Sequence, residues 1–164
     1  MPSFDLVSKI DDMELQNAIS QADKVIGGRF DFKNSDAKIE WKQKENLIEI
    51  RAEDDMKIKS VLDILRTAMV KRGIGLKGIE TSDIEATGMK MKKVTMTLKM
   101  GIDKEGQKAI NKIIKDNGFK VKSQFMDEKF RIESKSIDEL QALYQALKTS
   151  EDVKIELQME NMKR

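Results

Sequence analysis

The stretch that most constrains this chain is SDIEATGMKMKKVTMTLKM at 82–100. Val94, Met96, Leu98 and Met100 alternate with Thr95, Thr97 and Lys99, and a period of two in a run rich in Val and Thr marks a β-strand. SDIEAT predicts a strand before it, with a turn centred on Gly88 between the two arms. The order of elements leading into this hairpin then recurs. Strand, helix, strand, strand and helix come first, and the hairpin's first arm closes the round. Its second arm opens another round of the same six elements. The pattern predicts a tandem duplication of a βαββαβ unit joined through the central hairpin.

In chain order, a strand is expected at 3–9, followed by a helix that Asp11 caps, with Glu14 three residues on as in a capping box. Leu15, Ala18, Ile19, Ala22, Val25 and Ile26 fall on one face of this helix, and Gly27-Gly28 is read as its stop. The loop RFDFKNSD precedes strands at 38–42 and 47–53. A helix from about Asp55 puts Ile58, Val61, Leu62, Leu65 and Met69 on its buried face and ends in Lys71-Arg72 before Gly73. In the second round, Asp103 opens a helix that Asn117-Gly118 ends. Strands follow at 119–125 and 130–134, then a helix with Ser136 and Glu139 as a capping box, and a last strand in which Val153, Ile155, Leu157 and Met159 alternate.

Each round therefore reads as an α+β ferredoxin-like sandwich, an antiparallel sheet in the order 4-1-3-2 with two helices on one face. The short central hairpin has a further consequence. If its two arms pair, the opening strand of the second repeat fills the first-strand position in the first sheet. The strand SFDLVSK must then fill the vacated position in the second. The expected fold is two such sandwiches in tandem with their N-terminal strands exchanged. One domain covers 11–100, with strand 92–100 supplied by the second repeat; the other combines 1–10 with 101–164.

Composition limits the chemistry. There is no His and no Cys, which removes imidazole bases, thiol nucleophiles and the usual nitrogen–sulfur zinc sites. The absence of Cys fits a reducing cytoplasm, and no apolar run is long enough to span a membrane. Charged residues make up 37% of the chain, yet the net charge is only +2, so an anionic ligand would need a local patch. No catalytic constellation, metal site or cofactor motif is visible. Asp11-Asp12 and Asp54-Asp55 could hold magnesium, but their place at helix starts is explained by capping. GIGLKG at 73–78 matches G-x-G-x-x-G, but it follows a helix and precedes a strand, the reverse of the dinucleotide-binding context.

Two groups of residues are candidates for binding. In RFDFKN, the first reading buries Phe30 and Phe32 in the core and pairs Arg29 with Asp31 or Asp36. In the second, an exposed Phe30 stacks a base while Arg29 and Lys33 hold phosphate. The other group is Lys71, Arg72 and Lys77. The strand-exchange topology predicts a phosphate-bearing ligand in the seam between domains near these three. The sheet positions opposite the core, among them Glu40, Lys42, Thr95, Arg131 and Glu133, carry mixed charge and few aromatics, against base stacking on the sheet.

The chain resembles the YajQ family of bacterial nucleotide-binding proteins. The resemblance is carried by PSFDLVSKI at 2–10, GRFDFKNSDA at 28–37, VLDILRTAMVKRGI at 61–74, IKDNGFKVKSQF at 114–125, RIESKSIDELQAL at 131–143 and the ending LQMENMKR. Met162 departs from the pattern, standing where the family usually has an aromatic. The resemblance implies a two-domain protein with exchanged N-terminal strands that binds ATP, GTP or cyclic di-GMP. It also implies partners such as tRNA or a transcription regulator, and it brings no catalytic residues. The expectation is a cytoplasmic, monomeric, non-enzymatic nucleotide-binding protein with a regulatory role, using Lys71, Arg72, Lys77, Arg29, Phe30 and Lys33. The alternatives are an adaptor that docks a regulator without a physiological nucleotide, and a magnesium-dependent phosphohydrolase built on carboxylates.

Overall fold

Hydrogen-bonded pairing sorts the strands into two sheets, each backed by two helices. The computed structural model describes residues 1–164. Its elements are β1 (Ser3–Val7), α1 (Asp12–Gly28), β2 (Lys38–Lys42), β3 (Leu47–Ala52), α2 (Asp55–Lys71), β4 (Ile79–Thr81), β5 (Glu85–Ala86), β6 (Lys92–Leu98), α3 (Lys104–Asp116), β7 (Lys122–Met126), β8 (Lys129–Glu133), α4 (Ile137–Thr149) and β9 (Gln158–Lys163). The chain divides into a unit formed by Ile10–Lys99, called the first here, and a second formed by Met1–Lys9 with Met100–Arg164. This is an α+β architecture compatible with tandem ferredoxin-like sandwiches. No helix is long and apolar enough to cross a membrane.

In the first unit the sheet runs β2-β3-β6-β4, with β5 also paired to β6. Strand β6 is central, its Val94 opposite Ile50 and its Met96 opposite Ile48. These side chains form one core with Leu15, Ile19 and Ala22 of α1 and Ile58, Val61, Leu65 and Met69 of α2. In the second unit the order is β7-β8-β1-β9. Strand β1 lies between β8 and β9, with Phe4 opposite Ile132 and Leu6 opposite Phe130. That core adds Ile110, Leu140, Leu143 and Leu147. All pairings are antiparallel.

The helix ends are built from local hydrogen bonds. Asp11, Asp54, Asp103 and Ser136 each accept a backbone N–H of the first turn, satisfying donors that no helix can satisfy itself. After α2, Gly73 takes φ +78, its N–H donating to Val70 O while Ile74 N–H donates to Met69 O. This is a Schellman end, which needs the left-handed conformation glycine adopts without cost.

Several sequence expectations are corrected. The last strand is Gln158–Lys163 rather than 153–159. Val153, Ile155 and Leu157 are buried, but on an irregular segment that bends at Ile155 and belongs to no strand. Alternating burial by itself does not establish a strand. The hairpin's first arm begins at Ile79 and breaks at Ser82–Ile84, where Ser82 Oγ accepts the Thr95 N–H. The turn is not centred on Gly88. Met89 and Lys90 hold the positive φ values, and Thr87 N–H closes the loop onto Met91 O. Helix α1 runs through Gly27-Gly28, and the strand expected from 119 starts at Lys122. The Ser136–Glu139 box is half made: Ser136 Oγ accepts Glu139 N–H, but Ser136 N–H donates to Ser134 Oγ and the Glu139 carboxylate accepts Lys120 N–H.

Because β6 is central to its sheet and β1 to the other, neither contiguous half carries a whole sheet. Fragments 1–90 and 101–164, expressed separately, are expected to show no cooperative thermal transition by far-ultraviolet circular dichroism. A cooperatively melting 1–90 fragment would overturn the β3–β6–β4 pairing.

Candidate functional site

The residues singled out for binding all lie in the first unit, at the two ends of α2. This helix has 17 residues and is therefore about 25 Å long. Arg29, Phe30 and Lys33 follow the C-terminus of α1 and lie by the start of α2, where Ser35 Oγ donates to Glu53 at 2.7 Å and Asp36 N–H donates to the same carboxylate at 2.6 Å. Lys71, Arg72 and Lys77 are at the other end. One small ligand cannot touch both groups.

The Arg29–Lys33 loop makes a turn of 3-10 helix over Phe30–Phe32, which sends the two rings in different directions. Phe32 is buried in the core, whereas Phe30 is 89% exposed. The expectation that both rings plug the core is thus corrected for Phe30. Arg29 grips Asp31 through two hydrogen bonds, of 2.9 and 2.8 Å, and its guanidinium lies 5.7 Å from the centre of the Phe32 ring. The Arg29 hydrogen bonds hold the Asp31 carboxyl below its ordinary value. Lys33 N–H donates to Phe30 O and Ser35 N–H to Phe32 O. Phe30 therefore stands on an ordered loop anchored by its neighbours. At the start of α2, Lys57 pairs with Glu53 and Lys92 with Asp55, while Lys33 and Lys90 form no ion pair.

At the far end, Lys71 and Arg72 are exposed and unpaired. Lys71 borders a cleft of about 270 Å³ between α1 and α2 with Gln21, Val25, Asp63 and Thr67. Lys77 is half-buried in the loop after the Schellman end. The GIGLKG segment is this helix end and the turn into β4.

Sequence reasoning missed a buried acid on the open face of each sheet. Glu49, in the middle of β3, is buried within reach of Lys42 (3.3 Å), Arg51 (3.5 Å) and Lys93 (3.9 Å). Burial pushes its carboxyl up, but the hydrogen bond from Lys42 and the charges of Lys42, Arg51 and Lys93 outweigh this and hold it below its ordinary value. In the second unit, Asp5 of β1 accepts from Arg131 Nε at 3.3 Å and Asn161 Nδ2 at 2.9 Å. Asn161 adopts φ +54 at a register shift where β9 carries an extra residue, a β-bulge that aims its amide across the sheet. Burial again raises the Asp5 carboxyl, and the bonds from Asn161 and Arg131 more than compensate. With Gln124, Lys129 and Met126 these residues line a cleft of about 370 Å³. For Glu49 the signal was in the sequence, an acid two residues before Arg51 on a strand next to the one that carries Lys42. For Asp5 it was not, because Asn161 lies 156 residues away.

No group of three or more acidic side chains is arranged to hold a metal ion, and Asp54 Oδ1 is engaged by Lys57 N–H as a cap. What the fold presents is two α+β units with exposed cations, the highly exposed ring of Phe30 and a polar cleft on a sheet face. The chain belongs to the YajQ family: the family described as nucleotide-binding protein YajQ-like matches residues 2–163. It is 48% identical over 141 residues to a protein of Bdellovibrio bacteriovorus, covering 86% of each chain. It is 44% identical over 162 residues to one of Clavibacter michiganensis, covering 98% of each, and 40% identical over 163 residues to one of Geotalea uraniireducens, covering 99% of each. Each relative is named a nucleotide-binding protein. The resemblance drawn from the sequence motifs is borne out.

The two buried acids predict a specific acid limb. A carboxylate whose folded pKa is depressed contributes stability that is present above its unfolded value and lost as pH falls through the folded one. Glu49→Gln is expected to lower stability at pH 7 by about 1–2 kcal/mol, and to reduce the loss of stability below the ordinary glutamate range. Urea melts across the acid range check this. An acid limb unchanged in slope would mean that Glu49 does not contribute to it.

Proposed function

We propose that this chain is a non-enzymatic binder of a purine nucleotide, ATP, GTP or cyclic di-GMP, with a regulatory role. The observation that carries the reading is Phe30, 89% exposed on a loop that Phe32, Arg29–Asp31 and Ser35–Glu53 hold in place. A ring displayed on a fixed support stacks a base without an ordering cost. Lys33, which forms no ion pair, and Arg29, whose guanidinium is shared with Asp31, neighbour Phe30 in the sequence and would meet phosphate. The family description and the names of the relatives support the same reading. A second phosphate reading rests on the exposed, unpaired Lys71 and Arg72, with Lys77 beside them.

The adaptor reading keeps one observation in its favour. All residues of the edge strand β7 are exposed, and an open edge accepts a partner strand by backbone pairing. In either reading the placement of β1 between β8 and β9 and of β6 between β3 and β4 supports the proposal that the two units exchange their first strands.

Titration with a fluorescent purine nucleotide tests the site. Phe30→Ala is expected to weaken binding by about 1–3 kcal/mol, roughly 5- to 150-fold. Replacing Lys71, Arg72 and Lys77 together with Ala should leave it within about twofold and barely change its salt dependence. The opposite result would move the site to the far end of α2. In a phosphate-release assay no turnover is expected. Robust hydrolysis abolished by Asp54→Asn with Asp55→Asn would overturn the non-enzymatic reading.

A further inference from the structure

The second unit carries a cleft of about 440 Å³ at the corner where the loop before β7 meets the start of α4, lined by Lys120, Val121, Lys122, Lys135, Ser136 and neighbouring side chains. The duplication supplies its counterpart for comparison. Lys38 faces Arg51 in the first sheet as Lys122 faces Glu133 in the second, and three residues later come the caps Asp54 and Ser136. By this register Lys120 stands where Asp36 stands, Lys135 where Glu53 stands, and Ser136 where Asp54 stands.

Both corners must satisfy the loop N–H at the first of these positions. In the first unit Glu53 does so, accepting from Asp36 N–H and Ser35 Oγ. In the second the carboxylate has moved a turn into the helix: Glu139 accepts Lys120 N–H at 2.9 Å, while Ser134 Oγ donates to Lys120 O at 3.1 Å. The corner position is thereby left to a lysine. Lys120, Lys122 and Lys135 are all exposed, and none forms an ion pair. Elsewhere in this unit, Lys9 pairs with Glu160 and Arg131 with Asp5. Glu133 and Glu139 also line the cleft, but Glu139 is engaged by the loop. The Ser136 hydroxyl caps its own helix, so the lysines and not the helix end supply the attraction. Three unpaired ammonium groups around a cleft with an apolar wall at Val121 match a phosphate group attached to an organic body.

We propose that this cleft binds the phosphate of a nucleotide or of a nucleic-acid strand. The residues are separate from Phe30 and its loop, so this site stands or falls independently of the one proposed above. The test is amide-resolved NMR on the full chain, titrated with inorganic pyrophosphate. Saturable shifts are expected at Lys120, Lys122, Lys135 and Ser136. Lys120→Asp with Lys135→Glu installs the first unit's own residues at the corner. It should weaken pyrophosphate at least about tenfold and reduce the salt slope by about 2. The same double charge reversal at Lys104 and Lys108, at the other end of α3, controls for net charge and should bind as the unaltered chain does. Shifts scattered over lysines throughout the chain, or corner shifts that survive Lys120→Asp/Lys135→Glu in a variant with a dispersed spectrum, overturn the proposal. Separate titrations with ATP and with an oligouridylate identify the source: the ligand that saturates the corner at the lower concentration carries the phosphate recognised there.

Discussion

The structure depends on backbone pairing at two places, β6 between β3 and β4, and β1 between β8 and β9. Each is a middle strand, so its N–H and C=O groups are satisfied on both sides and its apolar face is sealed under helices. Phe4 and Leu6 of β1 are almost wholly buried, as are Val94, Met96 and Leu98 of β6. Burial of side chains of this size is worth about 1.5–3 kcal/mol each. The helices, caps and loops assemble on those strands, and every candidate binding feature is placed by them at a sheet face or at an end of a helix.

Polar chemistry on the open sheet faces follows a rule shared by both units. A single carboxylate is buried in an interior strand and cations from neighbouring positions converge on it, Lys42, Arg51 and Lys93 on Glu49, and Arg131 with the Asn161 amide on Asp5. A buried charge is tolerated only when paired and hydrogen-bonded. The arrangement also ties cations to fixed places on the sheets. Lys33, Lys71, Arg72, Lys120 and Lys135, exposed cations without such a partner, stand in loops or at a helix end, while Lys38 and Lys122 are exposed and unpaired on strands.

Much of the fold was legible in the sequence because its elements are amphipathic. The apolar stripe of α2 and the alternation of β6 each have a single period that admits one structure. Val153, Ile155 and Leu157 misled because an irregular segment that buries every second side chain against a core has the same period as a strand. Gly88 misled for a different reason: it was the favoured turn residue by propensity, but the tight loop took its left-handed turn one residue later, at Met89 and Lys90. The binding residues were legible as types and not as an arrangement. Nothing in RFDFKN separates Phe30 from Phe32 until a turn of 3-10 helix sends one ring in and the other out. The lysines of the 440 Å³ cleft come from two segments about a dozen residues apart, and only the sheet register aligns them with the acids of the other unit.

The placement of β1 sets an order of events during synthesis. Residues 3–7 leave the ribosome well before their partners β8 and β9, which end at Glu133 and Lys163. At about 5–20 residues per second, the strand waits on the order of ten seconds for its sheet. The first unit has all its strands once Leu98 has emerged, so it closes while β1 is still unpaired. Until β8 and β9 emerge, Phe4, Leu6 and Val7 have no sheet in which to bury their side chains, and an unpaired apolar segment of this kind is open to a chaperone or to the same segment of a neighbouring polypeptide.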